Sequence, residues 1–448
     1  MGNTTRISQT MRPADVHEVL DEHILTDGYD LVLDTAASQG SWLVDARDGR
    51  RYLDVFTFYA SSPLGMNHPG LTDDETFKAD LLDAALNKPA NSDVYTVHFA
   101  TFVDALARVL GDPALPHYFF IEGGAAAVEN ALKVAFDWKS RHNAARGRAA
   151  AGHRVLHLSG AFHGRSGYTM SLTNTDPNKV ALFPKFDWPR ITAPQVTHPI
   201  ADNLANIQQQ EGEALCQARA AFDRYPHEIA CVIAEPIQAE GGDNHLRPEF
   251  LHALQEMAHA HDALFVLDEV QTGAGITGHA WAHQGMGLEP DVIAFGKKLQ
   301  VCGVMAGRRV DEVPDNVFAT SSRINSTWGG NLTDMVRSRR ILEIIEEQDL
   351  VTAAKDKGEH LLARLDDLAE RYRGQVSNVR GLGLLCALDL VDRSSRDRVI
   401  SRLRKEEQVM ILGCGDRTVR FRPSLTVTTA ELDLVVDALA RVLARPIE

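Results

Sequence analysis

Short apolar runs bounded by polar or glycine residues recur through the middle of the chain, at Arg154–Leu158, Ile229–Ala234, 263–267 and Val292–Phe295. They are continuous instead of alternating, which suits strands covered on both faces, as in a parallel sheet. Helical periodicity fills the gaps. After Gly123-Gly124, the residues Val128, Leu132, Ala135 and Lys139 recur along one helix face. Upstream, 41–54 reads as two short strands around the Asp48-Gly49 turn. From residue 331 the pattern shifts to longer helices, predicted over 335–347 and 351–372, with a strand over 384–390. Thr428 and Glu431 form a capping box for a final helix, whose apolar stripe is Leu432, Val435, Val436, Leu439, Val442 and Leu443. The change of pattern places a domain boundary near residue 335.

Composition narrows the class. The 448 residues are 44% hydrophobic and 24% charged, enough for a sizeable core. Net charge is −15 and no basic block occurs, which argues against nucleic acid or an anionic membrane as partner. Five scattered cysteines with no CxxC pair signal neither a disulfide framework nor a metal site. The start, 1–13, is polar, and no apolar run reaches about 18 residues, so no signal peptide or membrane span is expected. These features predict a cytoplasmic α/β protein.

Four segments sit where a parallel sheet places chemistry, at strand carboxyl ends. Asp268 closes one apolar strand and can pair with a protonated ring nitrogen. Gly296-Lys297-Lys298 closes another, and a desolvated lysine there can attack an aldehyde. The residues alone do not choose between Lys297 and Lys298. Glu122-Gly123-Gly124-Ala125 opens a helix with approachable amides, a cradle for phosphate but neither a Walker nor a GxGxxG pattern. In Phe162-His163-Gly164-Arg165, Phe162 can stack on a flat ring and Arg165 can hold a carboxylate. His163 suits a structural or a catalytic role equally. Each segment alone has an ordinary explanation as turn, cap or solvated pair. One compact, anionic, aromatic ligand accounts for all four.

Further motifs complete an ordered set: Leu64-Gly65-Met66-Asn67-His68-Pro69, Ala234-Glu235-Pro236-Ile237-Gln238, Asp268-Glu269-Val270-Gln271, Ser326-Thr327-Trp328-Gly329-Gly330-Asn331 and Arg420-Phe421-Arg422-Pro423. With them, nearly the whole chain resembles the class III (ω-amino acid) aminotransferases of fold type I. The resemblance implies a pyridoxal 5′-phosphate enzyme. Its large domain, 61–334, is built on a mostly parallel seven-stranded sheet flanked by helices. A smaller α+β domain is drawn from both ends, 1–60 and 335–448.

The resemblance also implies roles. Lys297 is the Schiff-base lysine and Asp268 the carboxylate under the pyridinium. Gly124 and Ala125 match phosphate-binding amides, Phe162 and Val270 the residues flanking the ring, and Gln271 the neighbour of the ring hydroxyl. Thr327 matches a phosphate contact given across a homodimer with shared active sites. Arg420 matches the arginine for the α-carboxylate of 2-oxoglutarate or L-glutamate, and Glu240 its partner when an amine-tailed substrate enters. Arg165 and Asn325 look like pocket residues for L-lysine, and Tyr59 lies in a segment that should face the substrate. The stretches 296–307 and 325–328 resemble the branch of the family that transfers the ε-amino group of L-lysine. Ornithine or 4-aminobutyrate is the alternative donor. One departure is Ala239, where the family pattern usually has glycine.

Overall fold

The computed structural model of the chain describes residues 11–149 and 151–445, so the first ten residues of the polar start lie outside it. Among the described residues, seven strands form the central sheet: β1 His117–Ile121, β2 Arg154–Leu158, β3 Arg190–Ile191, β4 Ile229–Ala234, β5 Leu264–Asp268, β6 Val292–Phe295 and β7 Cys302–Ala306. Their order across the sheet is β1-β7-β6-β5-β4-β2-β3. β7 runs antiparallel to both of its neighbours, and the remaining pairings are parallel.

Both faces of this sheet are covered, which explains the continuous apolar runs. Leu264 and Val266 of β5 pack with Val128, Leu132 and Ala135 of helix α1, Gly124–Ala145. Phe265 and Leu267 point the other way, into a cluster that includes Phe250 and Leu254 of the helix Pro248–Ala260. This is the two-residue alternation of a strand, with apolar side chains on both sides. Lys139, on the buried stripe of α1, is also fully buried. It satisfies its ammonium on the carbonyls of Asp262 at 2.5 Å and His261 at 3.2 Å, as a buried cation must.

The two chain ends meet in a second layer. Trp42–Val44 pairs with Arg51–Asp54 around the expected turn, and Arg51–Asp54 pairs in parallel with Val409–Met410. Trp42 Nε1 donates to Glu431 Oε1 at 3.1 Å. Glu431 also closes the capping box with Thr428 at the start of the helix Thr429–Leu443, whose apolar stripe is buried throughout. An antiparallel sheet of Ser377–Leu382, Leu385–Asp389, Thr418–Phe421 and Leu412–Cys414 adjoins it. Thr418–Phe421 carries Arg420 towards the central sheet. Among the described residues no helix is long and apolar enough to cross a membrane.

The helix Leu350–Arg371 rests against the turn at Gly383 through Gly358. A β-carbon at Gly358 would lie 2.1 Å from the Gly383 carbonyl oxygen, and its nearest neighbours would all be backbone atoms of Gly383. Gly358→Ala is therefore expected to cost about 1–3 kcal/mol, the usual range for overpacking. Urea unfolding should show a lower midpoint with an unchanged slope.

Candidate active site

The carboxyl ends of the central strands converge on a cavity of about 170 Å³. Gly124 and Ala125 follow β1, Phe162, His163 and Gly164 follow β2, and Glu235, Ala239 and Glu240 follow β4. Asp268 ends β5, with Val270 and Gln271 just beyond, and Lys297 follows β6. Eight of the residues singled out from sequence thus line one space: Gly124, Ala125, Phe162, Glu240, Asp268, Val270, Gln271 and Lys297.

The two lysines part company here. The strand ends at Phe295, and Lys297–Leu299 is a 3-10 turn in which Lys297 takes φ +47°. Lys298 is buried and its ammonium donates to the Gln271 carbonyl at 2.7 Å. Lys297 lines the cavity. A strained turn at the strand end therefore separates the two lysines that the sequence left undecided. Burial, aided by the charge of Arg420, lowers the Lys297 pKa to about 8, against the pull of Glu240 and Asp268.

Asp268 is 5% exposed. Its Oδ2 contacts His163 Nδ1 at 2.8 Å, and its Oδ1 accepts from the Val270 amide at 3.1 Å. Burial disfavours charge on His163, but Asp268 and Glu235 outweigh it and raise its pKa. This places the ambiguous histidine directly behind the carboxylate. Glu235, which the sequence marks only as part of a motif, accepts from the amides of Phe162 at 2.9 Å and Ala239 at 3.2 Å. Burial pushes its pKa up to about 7 despite His163 nearby.

Glu240 is gripped from two sides. Its Oε1 accepts from Arg420 Nη2 at 2.5 Å and its Oε2 from Lys179 Nζ at 3.2 Å. Burial opposes the charge, yet Arg420 and Lys179 hold the carboxyl down at about 2. Arg420 is 2% exposed. Ala239 is not in the left-handed region, so its β-carbon imposes no backbone strain where glycine was expected. Nothing in the local sequence marks Lys179, which lies in the short turn Pro177–Val180.

Arg420 reaches the cavity lining only through Glu240, and four further residues singled out from sequence also lie outside the cavity within this chain. Tyr59 is 52% exposed at φ +61°. Arg165, Asn325 and Thr327 are exposed. The backbone of Thr327 is tied to Ser92, whose hydroxyl donates to its carbonyl at 3.2 Å.

The family model for class-III aminotransferases matches residues 26–443. The chain belongs to this family. The L-lysine-epsilon aminotransferase of Mycobacterium bovis is 62% identical over 428 residues, covering 95% of each chain. The solved structure of lysine aminotransferase from M. tuberculosis in the internal aldimine form superposes with a TM-score of 0.95 at 60% identity, covering 97% of this chain and 99% of that one. The mitochondrial 4-aminobutyrate aminotransferase of Homo sapiens is 32% identical over 437 residues, covering 91% of this chain and 84% of that one.

Class-III aminotransferases use pyridoxal 5′-phosphate, and this aminotransferase has a cavity that fits it. No side chain caps the N-terminus of α1, where Gly123 at φ +94° leads in, so the first-turn amides are open to a phosphate. Gly164 lets a neighbouring loop press on that turn, since a β-carbon there would sit 2.5 Å from Ala125 Cβ. Phe162 and Val270 offer walls for a flat ring, Asp268 a carboxylate for its nitrogen, and Lys297 an amine for its aldehyde.

Because the free amine is the reactive form, apo-protein should capture added pyridoxal phosphate at a rate that rises with pH and levels off above about 8. Stopped-flow absorbance checks this. A rate still climbing past pH 10 would assign the reaction to an ordinary lysine.

Proposed function

We propose that this aminotransferase moves the ε-amino group of L-lysine to 2-oxoglutarate, giving 2-aminoadipate 6-semialdehyde and L-glutamate in two alternating half-reactions. The observation that carries the reading is the Glu240–Arg420 pair beside Lys297. Lysine enters amine first and places no carboxylate near the reacting centre, so Glu240 can keep Arg420 neutralised. The α-carboxylate of 2-oxoglutarate lies next to its reacting carbon and needs Arg420 free. One mobile carboxylate thus serves both substrates. The choice of lysine is supported by the relatives named for that reaction, which share about twice the identity of those named for 4-aminobutyrate.

When bound, pyridoxal phosphate supplies an aldehyde that accepts the amino group and a ring that takes up an electron pair. Lys297 would hold that aldehyde through its amine, and the same amine, helped by its lowered pKa, would serve as the general base for the proton on the substrate carbon. Asp268, backed by His163, presents its carboxyl group to the cavity as the partner for the ring nitrogen. Arg165 takes the distal carboxylate of lysine. Asn325 and Thr327, outside the cavity of their own chain, complete the site of the other subunit in a homodimer, and Tyr59 borders the substrate entrance. The same reading assigns the large unit to 61–334, the small one to both chain ends, and the protein to the cytoplasm.

An amine-donor panel with 2-oxoglutarate should give fastest turnover with L-lysine; turnover with ornithine but none with lysine would overturn the assignment. Glu240→Ala should slow the lysine half-reaction about tenfold or more relative to the glutamate half-reaction, because a bare Arg420 is left beside an amine substrate. An unchanged ratio of the two rates in single-turnover kinetics would remove the gate.

A further inference from the structure

Glu240 has two cationic partners, but the gate just described uses one. Arg420 is fixed in the strand Thr418–Phe421 and almost wholly buried. Lys179 differs. Its side chain is 30% exposed, it lies in a short turn, and its ammonium lies 5.3 Å from the centre of the Phe162 ring at the cavity wall. Each cation holds a different oxygen of the same carboxylate. The backbone after Glu240 is held, its carbonyl accepting from the Gly415 amide at 3.2 Å and the Gly242 carbonyl from Arg380 at 2.6 Å, so it is the Glu240 side chain that can swing between the two cations.

We propose that Lys179 is a positioning residue for the acceptor half-reaction, the catch that holds Glu240 once Arg420 has turned to the acceptor's carboxylate. This rests on the gate proposed above and deepens it. A carboxylate pulled off Arg420 with no second partner would be a largely buried, unpaired charge, which is costly. It would also face the two negative charges of the incoming dicarboxylate. Lys179 removes both obstacles, because it is already bonded to the oxygen that Arg420 does not use. Losing Lys179 costs the closed state one of two contacts and the open state its sole cation. The equilibrium therefore shifts towards closure, to the detriment of dicarboxylates specifically.

The probe is glutarate, which has the carboxylates of the acceptor but no carbonyl to react. Isothermal titration of the cofactor-loaded enzyme with glutarate reads binding without turnover. Lys179→Met should weaken glutarate about tenfold and lower kcat/KM for 2-oxoglutarate about tenfold more than for the donor. Lys179→Arg should restore most of both. In a Glu240→Ala background, Lys179→Met should weaken glutarate no further, since there is nothing left to catch. Equal weakening with and without Glu240, or equal losses in both half-reactions, would overturn the proposal. The titration contains no amine, so an error in the choice of donor leaves it standing. Failure of the unmutated enzyme to bind glutarate would instead sink the acceptor reading along with the catch.

Discussion

The site is organised around one strained turn at the end of β6. Lys297 sits in the left-handed region, which costs a residue with a β-carbon roughly 1–2 kcal/mol. The turn is held in place by its neighbours. Lys298 is buried and bonded to the Gln271 carbonyl, and a β-carbon on Gly296 would lie 2.7 Å from Cys302 Sγ of β7. With Lys298 anchored on the segment just beyond β5, the buried lysine is fixed on one side of the turn and Lys297 is left facing the cavity.

Charge organises the remainder. The small layer contributes Arg420 and Arg422, two residues apart and so on one face of the backbone. Arg422 pairs with Asp243 at 2.5 Å, both fully buried, while Arg420 pairs with Glu240 at the cavity edge. The buried pair pins the loop after β4 to the C-terminal sheet, and the outer pair has its carboxylate partly exposed. Both arginines also bear on Lys297 and, with burial, depress its pKa. Fold and chemistry share these contacts.

Much of this was legible in the sequence. β2, β4, β5 and β6 announce themselves because both faces are covered. The others give weaker signals for physical reasons. β1 is an edge strand with mostly half-buried residues, and β3 has two residues. β7 contains Gly303, which a neighbour requires, since a β-carbon there would lie 2.2 Å from the Phe119 carbonyl. In the site, Asp268, Gly124 and Phe162 were readable from their strand-end positions. Lys297 and Lys298 were not separable, because identical neighbours differ only in backbone direction. Lys179 left no trace, because its partner lies 61 residues away. Glu235 acts by receiving two amides, a role no side-chain pattern records.

The claim that the turn aims Lys297, and not Lys298, at the cofactor can be tested on the unmodified protein. Borohydride reduction of the cofactor-loaded enzyme, followed by peptide mass mapping, locates the covalent link. The added mass is expected on Lys297 with Lys298 unmodified. Mass on Lys298 would contradict it, since that amine would have to leave the Gln271 carbonyl and cross the turn.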